Sequence, residues 1–283
     1  MSKIKVAVIG GSGIYKLDAI KVKESIKVET PFGNPSADIM VCEVDGNEFY
    51  FLPRHGHGHH FTPTEVNYRA NIFALKKLGA DTILSISAVG SLQEQYAPKN
   101  FVVVDQFIDW TKGQRKRTFF DEGMVGHVST ANPIEKSLQE RLYKHCKDAD
   151  ITTHLGGTYV CIEGPQFSTK AESQIYRSFG ASVIGTLVIP ITEAYLAKEA
   201  GMAYSTVAMV TDYDCWKEEH CTVQEIMDVM KSNYISVQRF IVKAIPDLVK
   251  NPVKFEAENK YAVMTDQKLL NDQHKAILEV VLK

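Results

Sequence analysis

The chain has 283 residues, of which 45% are hydrophobic and 23% are charged, and its formal net charge is −2. This composition is typical of a globular protein, and a near-zero net charge offers no electrostatic footprint for binding nucleic acid. No apolar stretch approaches the ~20 residues of a membrane span, and the apolar start leads into a glycine-rich turn instead of a signal-peptide pattern. Five cysteines at irregular spacing predict free thiols in a cytoplasmic protein.

Apolar strand-like runs alternate with helix-like patterns along the chain. Strands are predicted at residues 5–9, 39–44, 48–52, 82–87, 101–107, 157–162, 182–189 and 204–211. Helices are predicted at residues 64–78, 133–147, 169–179, 192–200 and from about 222 onward, and the basic stretch 112–117 is expected to be a solvated loop. The alternation predicts a single α/β domain over residues 1–283, with a mixed, largely parallel central sheet flanked by helices. The structure of the polar segment 252–283 is left open.

A glycine-rich turn, Gly10-Gly11-Ser12-Gly13, follows the first predicted strand. Such a turn frees backbone N–H groups that can cradle an anion, and Ser12 adds a hydroxyl donor. It is not the dinucleotide-binding fingerprint, because the third glycine of that pattern would stand where this chain has Lys16. The turn therefore predicts a phosphate or anion loop, with a plain tight turn as the alternative.

Arg54 and His55 follow the predicted strand 48–52. The planar fork of an arginine can clasp an oxyanion, and the histidine offers a second donor. His57, His59 and His60 follow, which raises the alternative of a zinc site. No cysteine or acidic residue accompanies these histidines, however, and zinc needs three or four ligands fixed in tetrahedral geometry. We therefore predict oxyanion binding here and no metal.

Two further predicted strands run into short-side-chain or turn-forming residues. The stretch Ser85–Ser91 ends in small residues, which let a ligand lie against the backbone. The Gly164-Pro165 turn comes before Phe167 and Ser168, and a flat aromatic ring there can stack on a base or a sugar. The alternatives are an ordinary strand–helix turn for the first stretch, and a core phenylalanine beside a helix N-cap for the second.

The apolar run that begins at Val207 ends abruptly in Asp212, Tyr213 and Asp214. In open α/β sheets the ligand lies beyond the carboxyl ends of the strands. Two acids at such a place can bind a metal, perform acid/base chemistry or recognise amino and ring-nitrogen groups. Together with an anion loop, an Arg-His pair and a presented phenylalanine, they predict a site for phosphate and a nucleoside. No serine or cysteine nucleophile with a base beside it appears, and phosphate itself can be the nucleophile.

Six ordered stretches of the chain match the motifs of a known family. They are residues 30–33, 54–56, 66–71, 105–109, 162–165 and 208–216. By these motifs, and over nearly everything between Val6 and about Lys250, the chain resembles the trimeric purine nucleoside phosphorylase family, and within it the enzymes that act on 5′-methylthioadenosine. The resemblance implies phosphorolysis of that nucleoside to adenine and 5-methylthioribose-1-phosphate, in purine and methionine salvage.

The resemblance also implies a pentosyltransferase with inorganic phosphate as co-substrate and no cofactor or metal. It implies a homotrimer in the cytoplasm, or in the nucleus as well, with no nucleic-acid or membrane partner. The implied phosphate ligands are Ser12, Arg54, His55, Ser87, Ala88 and Thr186. The implied purine contacts are Phe167, Ser168, Gly185, Asp212 and Asp214, of which the two aspartates would be catalytic. The methylthio end would meet Val223, Ile226 and His59, together with His127 from a neighbouring subunit.

One segment, Gly185–Glu193, departs from the family pattern. It lacks the family's methionine, and the run from threonine to glutamate is two residues longer. If the segment is aligned with the family pattern from its N-terminal end, Thr186 is the phosphate ligand. If it is aligned from its C-terminal end, that hydroxyl is lost. If the residues are matched by their role, Thr192 is only a helix cap. An inactive nucleoside-binding protein is therefore one alternative. The other is a purine nucleoside phosphorylase acting on adenosine or 6-oxopurine nucleosides.

Asp212 is the residue that distinguishes the substrates and drives the chemistry in this interpretation. An aspartate accepts a hydrogen bond from the 6-amino group of adenine, whereas an asparagine would favour a 6-oxo base. To protonate the departing purine, Asp212 must itself hold a proton near neutral pH. We therefore expect burial to raise its pKa.

Overall fold

The computed structural model describes residues 4–11, 13–14, 19–113, 115–185, 190–217 and 223–283, with the side chain of Val223 left out. The strands are β1 Val6–Gly10, β2 Lys21–Ile26, β3 Ile39–Val44, β4 Asn47–Pro53, β5 Thr82–Ser91, β6 Phe101–Val103, β7 Gln106–Trp110, β8 Thr153–Leu155, β9 Thr158–Ile162, β10 Val183–Gly185 and β11 Ala203–Tyr213. The helices are α1 Tyr68–Leu78, α2 Lys136–Asp148, α3 Lys170–Ser178, α4 Pro190–Glu199, α5 Val223–Lys250 and α6 Asp272–Val281, with a short 3-10 helix at Gln267–Leu269.

The strands form one mixed sheet in the order β2-β3-β4-β1-β5-β10-β9-β7, and β11, β6 and β8 continue it from the side of β5. Strand β1 runs parallel to β4 and β5, and β5 runs parallel to β11. Antiparallel pairs join β2 to β3, β3 to β4, β5 to β10 and β6 to β11. The carboxyl ends of β1, β4, β5 and β11 therefore lie at the same edge, where α/β folds place their ligands.

Both faces of the sheet are covered. Ala7 and Ile9 of β1 pack into one apolar cluster, whereas Val6 and Val8 pack into another. This alternation, with all four side chains buried, is typical of a sheet that has helices on both sides. The predicted fold class, a single α/β domain with a mixed, largely parallel sheet, is confirmed.

Several predicted boundaries were wrong for local reasons. The helix predicted from residue 64 begins at Tyr68, because the side chain of Asn67 caps it by accepting a hydrogen bond from the Ala70 N–H at 3.1 Å. The strand predicted at 101–107 is two strands, since β6 pairs with β11 and β8 while β7 pairs with β9. Strand β2 was missed because it is an edge strand with an almost entirely exposed surface and no apolar alternation.

The polar segment after Asn251 folds onto the domain. Ala262, Leu270, Ile277 and Val281 are buried in the same apolar cluster that receives Ile9 of β1. The segment also pairs with the loop that carries His127, through an isolated bridge between Gly126 and Val263. Its polar composition hid an amphipathic helix, α6, whose N-cap is Asn271.

Two predictions from composition concern the described part of the chain. Its four described cysteines, Cys42, Cys146, Cys161 and Cys215, are free, and the first three are buried. The fifth cysteine, Cys221, lies outside the described residues. Among the helices that the structure describes, none combines the length and apolar character needed to cross a bilayer.

Candidate active site

A cavity of about 350 Å³ opens beside β5 and β11, near their carboxyl ends, and its wall is predominantly apolar. Seven of the residues singled out in the sequence line it together: Ala88, Phe167, Ser168, Gly185, Asp212, Asp214 and Ile226. They come from five separate segments of the chain, and the topology of the sheet brings these segments together at the cavity. A largely apolar wall with a few converging polar groups is typical of a small-molecule site.

Asp212 owes its position to an irregularity in β11. The register between β5 and β11 shifts by one residue at Thr211, so that Val210 pairs with Val89 and Asp212 pairs with Gly90. Such bulges redirect side chains at functional sites. Burial raises the pKa of Asp212 to about 6, against a counteracting hydrogen bond from Thr211. The expected rise in this pKa is confirmed.

Thr211 can hold the Asp212 carboxyl in either protonation state. Its hydroxyl oxygen lies 2.5 Å from Oδ1 of Asp212 and 3.0 Å from the carbonyl oxygen of Val89. A hydroxyl has one proton, so it either donates to an ionised Asp212 or donates to Val89 while it accepts from a protonated Asp212. The contact therefore orients the carboxyl without fixing its charge.

Asp214 follows the end of β11 and is also buried. Burial raises its pKa, while polar groups of Ser173 and Cys215 near the carboxyl act in the opposite direction. The proximity of Asp214 is a further, smaller reason why the pKa of Asp212 is raised. Two carboxyls in one apolar site are thus held in different surroundings, which is the usual way to give two acids different tasks.

Two glycines leave the room that this cavity occupies. A Cβ atom at Gly185 would lie 1.9 Å from the hydroxyl oxygen of Tyr159, so no side chain fits there without displacing that ring. A Cβ atom at Gly90 would meet Oδ2 of Asp212 at 3.6 Å, an ordinary contact that would nevertheless fill space beside the carboxyl. Gly185 is therefore required by the fold, and Gly90 by the shape of the cavity.

The turn after β9 presents an aromatic ring at the cavity. Phe167 is 73% exposed, so it is not a core residue, and the helix that follows is capped by Thr169 in a capping box with Glu172. The side-chain oxygen of Ser168 is buried. The alternative of a core phenylalanine is thereby wrong, and an exposed ring over an apolar cavity is suited to stacking on a planar base.

Arg54 does not line the cavity. Its guanidinium is fully buried and forms a bidentate ion pair with Glu193 at 2.5 and 3.1 Å. Further N–H groups donate to Ser85 Oγ at 2.8 Å and to the Ile86 carbonyl oxygen at 3.1 Å. Four of the five N–H groups are thus directed at protein atoms, which leaves one on Nη1 for an anion.

Glu193 is a functional residue that the sequence analysis did not assign. It belongs to the first turn of α4, so the helix begins at Pro190 and Thr192 lies inside it, buried, instead of capping it. The carboxylate also accepts hydrogen bonds from the hydroxyls of Ser85 and Tyr204, at 2.9 and 3.0 Å. The signal was present: Glu193 stands in the apolar first half of α4, and a buried carboxylate requires a partner.

The histidines after β4 fold back on their own loop. His55 Nδ1 lies 2.9 Å from the Phe61 carbonyl oxygen, and His60 Nδ1 lies 3.0 Å from the His57 carbonyl oxygen, so both nitrogens donate. The rings of His55 and His59 lie 4.4 Å apart. Over the described ranges, no three His, Cys, Asp or Glu side chains are grouped as metal ligands.

Four other site predictions have different outcomes. Ser12 and Thr186 lie outside the described residues, as does the side chain of Val223. Ser87 is buried on β5 beside the cavity-lining Ala88, but it does not itself line the cavity.

Met227 and Met230 of α5 join Ile226 in the cavity wall, although the sequence analysis gave them no role in the site. They share one face of the helix with Ile226, which was the available signal.

His127 lies apart from the cavity of its own chain and is exposed. Its N–H donates to the carbonyl oxygen of Ala262 at 2.8 Å, and the Val125 carbonyl oxygen accepts from the Met264 N–H at 2.8 Å. The loop is therefore fixed by the segment after α5. Three apolar side chains on this loop and on the segment that pairs with it are exposed, namely Val125, Tyr261 and Met264.

Comparison with known proteins identifies the family. The model of the phosphorylase superfamily matches residues 5–246, which include every strand of the sheet. The chain belongs to the phosphorylase superfamily. The resemblance inferred from the six sequence motifs is thereby confirmed.

Relatives within this superfamily cover the whole chain. The S-methyl-5′-thioadenosine phosphorylase of Geobacter sulfurreducens is 45% identical over 281 residues, which are 98% of this chain and 97% of that one. A methylthioadenosine phosphorylase from an antarctic soil metagenomic library has a crystal structure with a TM-score of 0.92 and 43% identity, at 100% coverage of both chains. The Schistosoma mansoni methylthioadenosine phosphorylase in complex with adenine gives a TM-score of 0.82 and 33% identity, covering 99% of this chain and 98% of that one.

Proposed function

We propose that the protein is a pentosyltransferase that cleaves 5′-methylthioadenosine with inorganic phosphate, giving adenine and 5-methylthioribose-1-phosphate. The observation that carries the proposal is the pair Asp212 and Asp214 at the end of β11, inside an apolar cavity that also holds Phe167. The relatives named above act on, or are named for, the same nucleoside. No metal or organic cofactor is needed for this reaction, and phosphate is the second substrate.

The chemistry breaks the C1′–N9 bond and forms a bond between C1′ and a phosphate oxygen. Positive charge develops on the sugar as the bond breaks, and negative charge develops on the purine. A protonated Asp212 donates its proton to N7 of the departing base, and its raised pKa supports this role. General acid catalysis of this kind contributes typically 10²–10⁴-fold. The phosphate stabilises the sugar cation and then attacks C1′.

Apolar side chains in the cavity favour the methylthio substituent. Ile226, Met227 and Met230 form one wall of the cavity on α5. Burial of a methylthio group against them is favourable, whereas a 5′-hydroxyl there would lose hydrogen bonds with water. This chemistry supports methylthioadenosine over adenosine as the preferred substrate.

On the phosphate side, we propose that Ser12, Ser87, Ala88 and Thr186 supply hydroxyl and backbone donors, with His55 and the remaining Arg54 N–H. The Arg54–Glu193 pair is electrically neutral, so its contribution lies in one oriented donor more than in a net charge. The dianion would then depend on many donors of similar strength. Loss of any single hydroxyl should accordingly raise the phosphate KM only moderately.

We further propose a homotrimer in the cytoplasm, or in the nucleus as well, in which His127 of a neighbouring subunit reaches the 5′ side near His59. Apolar side chains exposed around His127 support contact with a second copy, since monomers seldom expose such patches. In a cyclic assembly each subunit uses two different surfaces, so one can carry the cavity and the other His127. Light scattering of wild type and of Met264→Glu tests the assembly; a fully active monomer would refute it.

The proposed reaction is tested by incubating the protein with methylthioadenosine, adenosine or inosine, with and without phosphate, and measuring free base. Phosphate-dependent release of adenine, fastest from methylthioadenosine, is expected. Release that is equally fast without phosphate would make the protein a hydrolase. A preference for inosine would favour the purine nucleoside phosphorylase alternative, and nucleoside binding without release would favour the inactive binding protein.

A further inference from the structure

Arg115 and Glu163 form a second buried ion pair, outside the cavity. Arg115 belongs to the basic stretch 112–117 that was expected to be a solvated loop, but its side chain is only 3% exposed. Its Nη2 lies 2.9 Å from Oε1 of Glu163 and 2.5 Å from the Glu163 carbonyl oxygen. The expectation was wrong for this residue, because its guanidinium is buried and is paired with Glu163 through Nη2.

Each member of the pair also holds the loop that follows β4. Arg115 donates from Nε to the Pro63 carbonyl oxygen at 3.2 Å and from Nη2 to Thr64 Oγ1 at 3.1 Å. The Thr64 hydroxyl in turn donates to Oε1 of Glu163 at 3.0 Å. Tyr68, at the start of α1, donates to the same Pro63 carbonyl oxygen at 3.1 Å. The residues around Thr64 are therefore fixed from two directions.

The two loops joined in this way carry residues that we assign to different substrates. The loop after β4 begins with Arg54 and His55, which we assign to phosphate. Glu163 directly precedes the Gly164-Pro165 turn, and this turn leads to Phe167 and Ser168, which we assign to the purine. Glu163 also accepts the Lys112 N–H at 2.7 Å, which adds a third segment to the junction. Neither Arg115 nor Glu163 lines the substrate cavity.

We propose that Arg115 and Glu163 are positioning residues that couple phosphate binding to purine binding. The proposal rests on the function proposed above. One carboxylate and one guanidinium hold both loops, so a shift of the phosphate-side loop is transmitted to the turn that carries Phe167. Energetic coupling between two sites is reciprocal, and values of about 5-fold to 150-fold are common. The pair thus prepares the purine side when phosphate is already bound.

The test measures adenine affinity by calorimetry, with and without saturating phosphate, because adenine and phosphate do not react with each other. In wild type, phosphate should tighten adenine binding by a factor of about five or more. In Arg115→Lys, which keeps the charge but loses the fork, and in Glu163→Gln, the factor should fall to near one. Thr64→Val removes only the bridging hydroxyl and should give an intermediate factor. The KM values for phosphate and nucleoside should then rise independently of each other.

Arg141→Met is the control, since Arg141 forms an ion pair with Asp247 that joins α2 to α5, is more exposed than the Arg115–Glu163 pair and does not line the cavity. It should leave the coupling factor unchanged, and melting temperatures establish that each variant is folded. An unchanged factor in folded Arg115→Lys and Thr64→Val, or no coupling in wild type, would overturn the proposal. If wild type shows coupling but releases no adenine from methylthioadenosine, then the proposed reaction fails while the coupling stands.

Discussion

The guanidinium of Arg54 and the carboxylate of Glu193 form an enclosed ion pair between residues 139 positions apart in the sequence. Both side chains are at most 1% exposed. The pair joins the loop after β4, which we assign to phosphate, to the first turn of α4. Its members must therefore contribute to folding as well as to the site.

Removal of one partner should destabilise the fold strongly. Arg54→Met leaves the Glu193 carboxylate buried without its cation, and such a change costs about 3–5 kcal/mol in the free energy of unfolding. The double variant Arg54→Met/Glu193→Leu should recover part of this loss, because no unpaired charge remains. Urea unfolding measures both. A double variant no more stable than Arg54→Met would mean that shape, and not charge, determines the loss.

The sequence revealed most of the strands and the residues at their carboxyl ends, because apolar runs and the polar residues that follow them are local signals. Asp212, Asp214 and Phe167 were found in this way. The ion pair of Arg54 was not predicted, since its partner Glu193 lies on a helix far along the chain and no local pattern links the two residues. Similarly, the burial of Arg115 depends on Glu163, and composition alone assigned it to solvent.

The structure of the C-terminal segment could not be predicted from local sequence signals either. Its residues are polar on average, so no strong period marks a helix or strand. Only the complete fold supplies the apolar surface that buries Ala262 and Leu270, and only then does the segment fix the loop of His127. Tertiary contacts, not local propensity, decide its structure.

Gly185 and Gly90 should respond differently to alanine. In Gly185→Ala the new Cβ would lie 1.9 Å from the Tyr159 hydroxyl, so the buried ring must move, at a cost of about 1–3 kcal/mol for overpacking. In Gly90→Ala the contacts are 3.4 Å or longer, so the melting temperature should change little while the nucleoside KM rises. Thermal unfolding and steady-state kinetics of both variants test this. Equal effects on stability would contradict the distinction.

Low pH should weaken the contact that Asp247 of α5 makes with Arg141 and His145 of α2. Although burial acts to raise it, hydrogen bonds from Arg141, His145 and Asn251 hold the pKa of Asp247 well below its ordinary value. A carboxyl with a depressed pKa contributes stability above its unfolded-state pKa of about 3.9, and this contribution is lost as the pH falls towards the folded-state value. Asp247→Asn should therefore destabilise the protein at pH 7 and lose less stability than wild type below about pH 4. If the free energy of unfolding depends on pH with the same slope in wild type and in Asp247→Asn, the prediction is wrong.

Activity should follow the protonation of Asp212. Because the acid must hold a proton to donate it, kcat/KM for methylthioadenosine at saturating phosphate should fall as the pH rises through about 6, the pKa that burial gives this residue. Asp212→Asn removes the titrating group and should abolish this limb of the profile. Thr211→Val removes the hydrogen bond that lowers the pKa, so the limb should move to higher pH. A limb that stays in place in Asp212→Asn would assign it to another group.

Asp212→Asn should also change which base the enzyme accepts. Adenine has a donor at position 6 and hypoxanthine has an acceptor, so a site built for one pattern leaves buried groups unpaired with the other, and such mismatches discriminate by orders of magnitude. The asparagine keeps the size of Asp212 and can still accept the Thr211 hydroxyl proton, but it offers an amide N–H to a 6-oxo group. We expect kcat/KM for adenine nucleosides to fall sharply and the inosine-to-adenosine ratio to rise. Asp214→Asn neutralises the other carboxyl of the cavity, and although it should also reduce activity, it should leave the inosine-to-adenosine ratio unchanged. If Asp212 only supports the bulge in β11, its substitution should lower the melting temperature and reduce activity on both nucleosides by the same factor.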